Sequence, residues 1–267
     1  MRTRNWTAGS LAALFAFVTL TCQALAAAWT LPAGDAQIIA GYTYDEASEA
    51  FNDEGDRDLD ADFYKHELSV LMEYGALDYL TVYIQPHFQW LDVNDVEEAG
   101  HAFTDVGLRL RVLQQDQHVF SLQGQVSLPG DVNGTNEVTL SSSEIEAELR
   151  ALFGTSFMLG TVPAFVDLQG GYRYREGNPP DEWHADATFG WQPDDGAEFL
   201  LQSFNTWSEG QGDDPLVFPY FRQHKVQASL VMHATQELSL QVGGFYTWAG
   251  QNVIAEEGLI VGAWYRF

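Results

Sequence analysis

The chain ends on Gly258-Leu259-Ile260-Val261-Gly262-Ala263-Trp264-Tyr265-Arg266-Phe267, an alternating segment that stops on an aromatic carboxyl terminus. Leu259, Val261, Ala263, Tyr265 and Phe267 share one face, and Gly258, Ile260, Gly262, Trp264 and Arg266 share the other. Successive side chains of a strand point to opposite sides, so this pattern suits a wall between lipid and a wet lumen. It also sets a parity: if Tyr265 and Phe267 meet lipid, Arg266 faces inward.

The amino end agrees. Arg2 and Arg4 precede the apolar run Leu11 to Leu20, and Ala24-Leu25-Ala26 has the small-x-small pattern of a signal-peptidase site. We therefore expect residues 1–26 to be a signal peptide and 27–267 to be one outer-membrane β-barrel domain. Cys22 follows Thr19-Leu20-Thr21 rather than a lipoprotein triplet, which argues against lipidation and leaves the mature chain without cysteine. Phe267 resembles the terminal signal read by the outer-membrane assembly machinery, which makes that machinery an expected partner.

Period-2 alternation predicts twelve strands, near 36–44, 62–75, 79–91, 103–113, 118–128, 143–153, 162–175, 182–192, 198–208, 222–233, 237–249 and 258–267. The predicted fold is an all-β, transmembrane, antiparallel up-and-down barrel. An even count returns the carboxyl terminus to the periplasmic side. Tight turns at 75–78, 114–117, 193–196 and 234–236, with a longer one at 154–161, alternate with longer links at 45–61, 92–102, 129–142, 176–181, 209–221 and 250–257. Short turns on one side and long loops on the other are what such a barrel shows. Mean hydropathy is slightly polar, but alternation conceals a membrane signal in a barrel.

Charge placement extends the parity. Lys65, Glu67 and Glu73 share the polar face of their strand, as do Asp105, Arg109 and Arg111, then Glu144, Glu146, Glu148 and Arg150, then Asp167, Arg173 and Arg175. Tyr83, His87, Asp186, Lys225 and Arg266 fall on the same side. These residues, save Glu144 and Arg266, are the candidate pore-lining and solute-contacting set. Charges of both signs in a confined lumen should pair, because an unpaired one is costly. Two readings follow: a ladder that braces the barrel, or free guanidiniums that attract carboxylates or phenolates. Phe165, Phe204, Phe245 and Trp264 also point inward, as stacking surfaces or as fillers. Opposite them, Tyr64, Tyr74, Trp90, Tyr172, Tyr174, Trp183, Trp191, Trp207, Tyr246, Trp248 and Tyr265 have lipid-face parity, which suits interfacial girdles.

Thr104-Asp105-Val106-Gly107-Leu108-Arg109-Leu110-Arg111, Gln123 to Asp131, Val166 to Arg175 and Ala249-Gly250-Gln251-Asn252 with the terminal strand resemble the phenol meta-pathway family of outer-membrane transporters. That resemblance implies a barrel passing small, often aromatic, compounds.

The expected function is passive passage of small solutes, aromatic or anionic compounds among them. Nothing in the sequence calls for a cofactor or a resident metal. The expected partners are outer-membrane lipid, lipopolysaccharide and a small-molecule solute. A net charge of -26 opposes nucleic acid. Asp56-x-Asp58-x-Asp60 with Glu67 twelfth resembles a calcium loop, but Ala61 stands where the turn needs glycine; loose divalent bridging to lipopolysaccharide suits the acidic segment 45–62 better, and simple solvation of the loop is the default reading. Two alternatives are a lipid hydrolase using His66 and Ser143 on the lipid face, and a non-transporting envelope barrel. No Gly-x-Ser-x-Gly occurs, and no third group orients a base. No energy source is expected, because there is neither a nucleotide motif nor an amino-terminal plug domain.

Overall fold

The computed structural model describes residues 28–93, 96–130, 145–177, 179–212 and 219–267. Twelve long strands pair in order of sequence: β1 (Ala36–Phe51), β2 (Arg57–Leu77), β3 (Leu80–Val93), β4 (Val96–Gln115), β5 (His118–Pro129), β6 (Glu146–Leu159), β7 (Val162–Arg175), β8 (Glu182–Asp194), β9 (Ala197–Ser208), β10 (Arg222–His233), β11 (Leu238–Gln251) and β13 (Glu257–Arg266). The two-residue β12 (Val253–Ile254) adds to the outer end of β1. All pairings are antiparallel, and β1 pairs with both β2 and β13. The sheet thus closes and leaves no edge among its long strands, which is what a backbone in lipid requires.

The terminal strand fixes the closure. It runs beside β1 in unbroken register from Gln37↔Arg266 to Glu46↔Glu257. Arg266 donates to Gln37 Oε1 at 3.1 Å inside the wall, while Tyr265 and Phe267 stand exposed outside with their rings edge to face. The parity read from the last ten residues is therefore the parity of the barrel. Tyr64, Tyr74, Trp90, Tyr174, Trp183, Tyr246 and Trp248 all project outward, among an exposed belt of Leu, Val, Ile and Phe.

Three expectations about connections need correction: the link expected at 92–102 is strand on both sides, β3 running to Val93 and β4 starting at Val96, and two others change as well. The acidic segment 45–61 is not a long loop: β1 and β2 extend through most of it and meet at a short turn around Gly55, whose φ is +87°. Asp58 and Asp60 lie in β2 and Glu67 faces the lumen, so the three cannot form a calcium loop. Likewise 154–161 is mostly strand, closed by a tight turn at Gly160, φ +69°. Both sequences mix Gly with polar residues, and pairing with long neighbours overrides that local turn signal. The loop expected at 129–142 and Ser143 with Glu144 lie largely outside the described residues.

Candidate functional site

The interior has two levels. At the end where the chain enters and leaves the sheet the lumen is filled, and the filling comes from the amino end. Residues 28–31 enter the barrel before β1 begins, and Pro32 to Asp35 lie exposed at its rim. Trp29 is 5% exposed and packs edge to face on Phe165, their ring centroids 6.1 Å apart. Around it, Ala28, Val119, Leu152, Leu200, Val231 and Trp264 complete an apolar core, with Ile39 against it. These residues have lumen parity but no charge. Glycine makes the room: a Cβ on Gly154 would clash with the Trp29 ring, and one on Gly190 would clash with the Phe165 ring.

Polar groups fasten the segment. The Ala28 backbone N–H donates to Asp167 Oδ2 at 2.7 Å, Ser121 Oγ to the Ala28 carbonyl at 2.5 Å, and Arg109 to the Trp29 carbonyl at 3.0 Å. Thr30 Oγ1 donates to the Asp78 carbonyl, and the Leu31 N–H donates to Thr81 Oγ1. Arg109 is held in turn by Glu73, at 3.3 Å. Buried backbone groups need partners, and the Ala28 N–H and carbonyl, the Trp29 carbonyl and the Leu31 N–H find them in the wall. No plug was expected from the sequence. Nevertheless the described residues just before β1 form a short plug.

Above the plug the walls carry ions. Arg150 bridges Glu148 at 2.5 Å and Asp186 at 2.6 Å; Arg173 reaches Glu148 at 2.9 Å and Glu146 at 3.5 Å; Arg175 reaches Glu146 at 3.0 Å and Glu182 at 2.7 Å. His184 lies 3.1 Å from Glu182. The three strands β6, β7 and β8 thus share one ladder. Across the lumen His87 Nδ1 meets Glu67 at 3.0 Å, Gln89 takes the other Glu67 oxygen, and Ser127 donates to Asp105 at 2.5 Å. Tyr83 donates to Gln125 at 2.8 Å. Lys65 pairs with Asp45 at 2.7 Å, and Lys225 pairs with Glu256. Arg111 makes no ion pair among the described residues.

The sequence-derived set is therefore all on the inward face, but split between levels. Glu73, Arg109 and Asp167 hold the plug, whereas Glu146, Glu148, Arg150, Arg173, Arg175 and Asp186 form the ladder. Asp45, Glu182 and Glu256 were missed. Asp45 and Glu256 fell in segments read as loops, although Thr43 and Asp45 continue the inward parity of β1. Glu182 was within its predicted strand, at the parity of His184 and Asp186.

His66 projects outward, its Nδ1 2.6 Å from the Tyr42 hydroxyl, with Tyr44 and Trp90 beside it. No serine bonds it among the described residues.

No family model and no curated protein sequence matches the chain. Solved structures do. The COG4313 outer membrane channel from Pseudomonas putida F1 is similar over 90% of this chain and 98% of its own, with a TM-score of 0.74 at 16% identity. The NanC porin is similar over 85% of this chain and 98% of its own, with a TM-score of 0.53 at 8% identity. The translocator domain of the autotransporter NalP from Neisseria meningitidis covers 97% of this chain and 98% of its own, with a TM-score of 0.53 at 12% identity. At such identities the likeness is one of fold.

Proposed function

We propose that this is a bacterial outer-membrane channel for small solutes, held shut at its periplasmic end by residues 28–35 and passive once that segment withdraws. The observation that carries the reading is Trp29 in its socket: a lumen plugged by a short, separately detachable piece of chain is built as a passage. A barrel whose only task was structural would gain as much from inward side chains alone. The apolar outer belt, the closed sheet and the porin-like folds of the similar structures support placement in the outer membrane. On this reading residues 1–26 are removed as a signal peptide, and Phe267 engages the assembly machinery.

The polar face from Lys65 to Lys225 is then the wall that a solute meets. Most of its guanidiniums are neutralised by neighbouring carboxylates, which favours bracing over attraction of anions. The aromatic solutes implied by the family resemblance would find Tyr83, Phe204 and Phe245. Nothing at His66 favours the hydrolase.

Removing a buried tryptophan costs about 3–5 kcal/mol, so a plug held on that scale leaves well under about 1% of barrels open at rest. Planar-bilayer recording tests this. The full chain should give small, rare currents, and removal of residues 28–33 should give large steady ones. Unchanged conductance in that deletion would sink the plugged-channel reading.

A further inference from the structure

We propose that a chamber in the outer half of the lumen is a waiting site for small organic ammonium ions, making the pore select cations; this rests on the channel reading above. The chamber, about 180 Å³, lies between β1, β2, β9, β10 and β11, and Asp45, Lys65, Phe204, Lys225 and Phe245 line it.

Its lysines do not offer free positive charge. Lys65 Nζ sits 2.7 Å from Asp45 Oδ2 and 3.9 Å from Glu256, and Lys225 is paired with Glu256. The other charged side chain on the wall, Glu67, has both oxygens taken by His87 and Gln89. What remains open is an acceptor. Asp45 is 2% exposed, and its Oδ1 has no hydrogen-bond partner. A buried carboxylate oxygen without a donor is costly, and an entering N–H group would relieve that cost. A carboxylate entering instead would meet like charge with no unused ammonium to offset it.

The apolar walls suit the same guest. An aromatic face attracts a cation through its quadrupole, and Lys225 Nζ already lies 5.7 Å from the Phe245 ring centroid. Phe204 supplies a second ring. An ammonium carried on a short apolar body therefore finds an acceptor for its head and rings for its flank.

The approach from outside favours the same sign. At the extracellular turn and along the outer end of β2, Asp53, Glu54, Asp56, Asp58, Asp60 and Asp62 are exposed against Arg57, which pairs with Glu49 at 2.6 Å. Such a mouth concentrates cations before they enter.

Benzylammonium and benzoate share a ring and differ in sign, so they make a direct test. In equilibrium dialysis of the full chain in detergent, benzylammonium should be retained about tenfold more than benzoate, and still be preferred in 1 M salt, where the exposed mouth is screened. Asp45→Asn should remove most of that preference, and Phe245→Leu, which keeps an apolar side chain but loses the ring face, should weaken it severalfold. Heat-shifted mobility on gels checks that each variant is folded. Equal retention of the two ions, a preference for benzoate, or unchanged binding in both variants overturns the proposal. In the barrel lacking residues 28–33, reversal potentials in a KCl gradient should show cation selectivity; anion selectivity overturns the selection claim. No current from that barrel, with benzylammonium still bound, would instead sink the channel reading and leave the chamber standing.

Discussion

The two levels of the lumen are made by the same strands and the same parity, yet they solve the problem of an interior in opposite ways. At the plug level Leu152, Phe165, Leu200 and Val231 point inward and need apolar cover, which Trp29 provides from a separate segment. Higher on β6, β7 and the neighbouring β8, Glu148, Arg173 and Glu182 point inward and satisfy one another. Removing the cover should expose an apolar ring but leave the wall intact. Removing one member of the ladder leaves the others buried and charged. On the channel reading proposed above, the plug is the part that leaves and the ladder is the part that stays.

Glu148 gives the largest expected effect on stability. It is buried and binds both Arg150 and Arg173. Glu148→Ala would leave two guanidiniums short of partners, a change of about 3–5 kcal/mol for a buried pair. Denaturant unfolding from lipid vesicles should show that loss, with the plug still seated and conductance low. A stable Glu148→Ala barrel would mean that water already solvates the ladder, and the contrast between the levels would fail.

A smaller effect comes from the glycine socket. Gly154→Val places atoms where the Trp29 ring lies, and overpacking of this sort costs about 1–3 kcal/mol. On the channel reading the strain should be released by expelling the segment, so conductance should rise more than stability falls. Gly124→Val is the matched control, since a Cβ there meets nothing within 4 Å. Equal behaviour of the two variants would show that Trp29 is not the closing element.

Much of this was legible before any coordinates, and the reason is physical. A barrel wall is one residue thick, so period-2 alternation records both of its surroundings, and the terminal strand identifies which is which. That is why Arg109, Arg150 and Arg173 could be assigned inward, and Tyr74 and Trp248 outward. The plug was hidden because residues 28–35 form no strand and carry no period. Trp29-Thr30-Leu31-Pro32 reads as an ordinary lead-in, and what makes it a plug is a socket assembled from residues on β5, β6, β7, β9, β10 and β13. Leu152 and Leu200 were the available clue, since they are apolar residues at lumen parity. Asp45 and Glu256 were hidden differently: acidic runs look like loops, whether they lie in water or continue a strand.

Arg111 gives the smallest expected effect and separates position from pairing. It shares a strand and parity with Arg109, two residues nearer the β4–β5 turn, but it touches neither the Trp29 carbonyl nor a carboxylate among the described residues. Arg109 does both, through Glu73 and the plug. Arg111→Gln should therefore change stability by no more than about 0.5 kcal/mol, as a substitution away from buried networks does. Arg109→Gln should cost more and raise conductance, because it strips Glu73 of its guanidinium and weakens the hold on the plug. If the two variants behave alike in unfolding and in bilayers, inward parity alone sets what an arginine does here, and the partition of the lumen into a plug level and a ladder level has no energetic content.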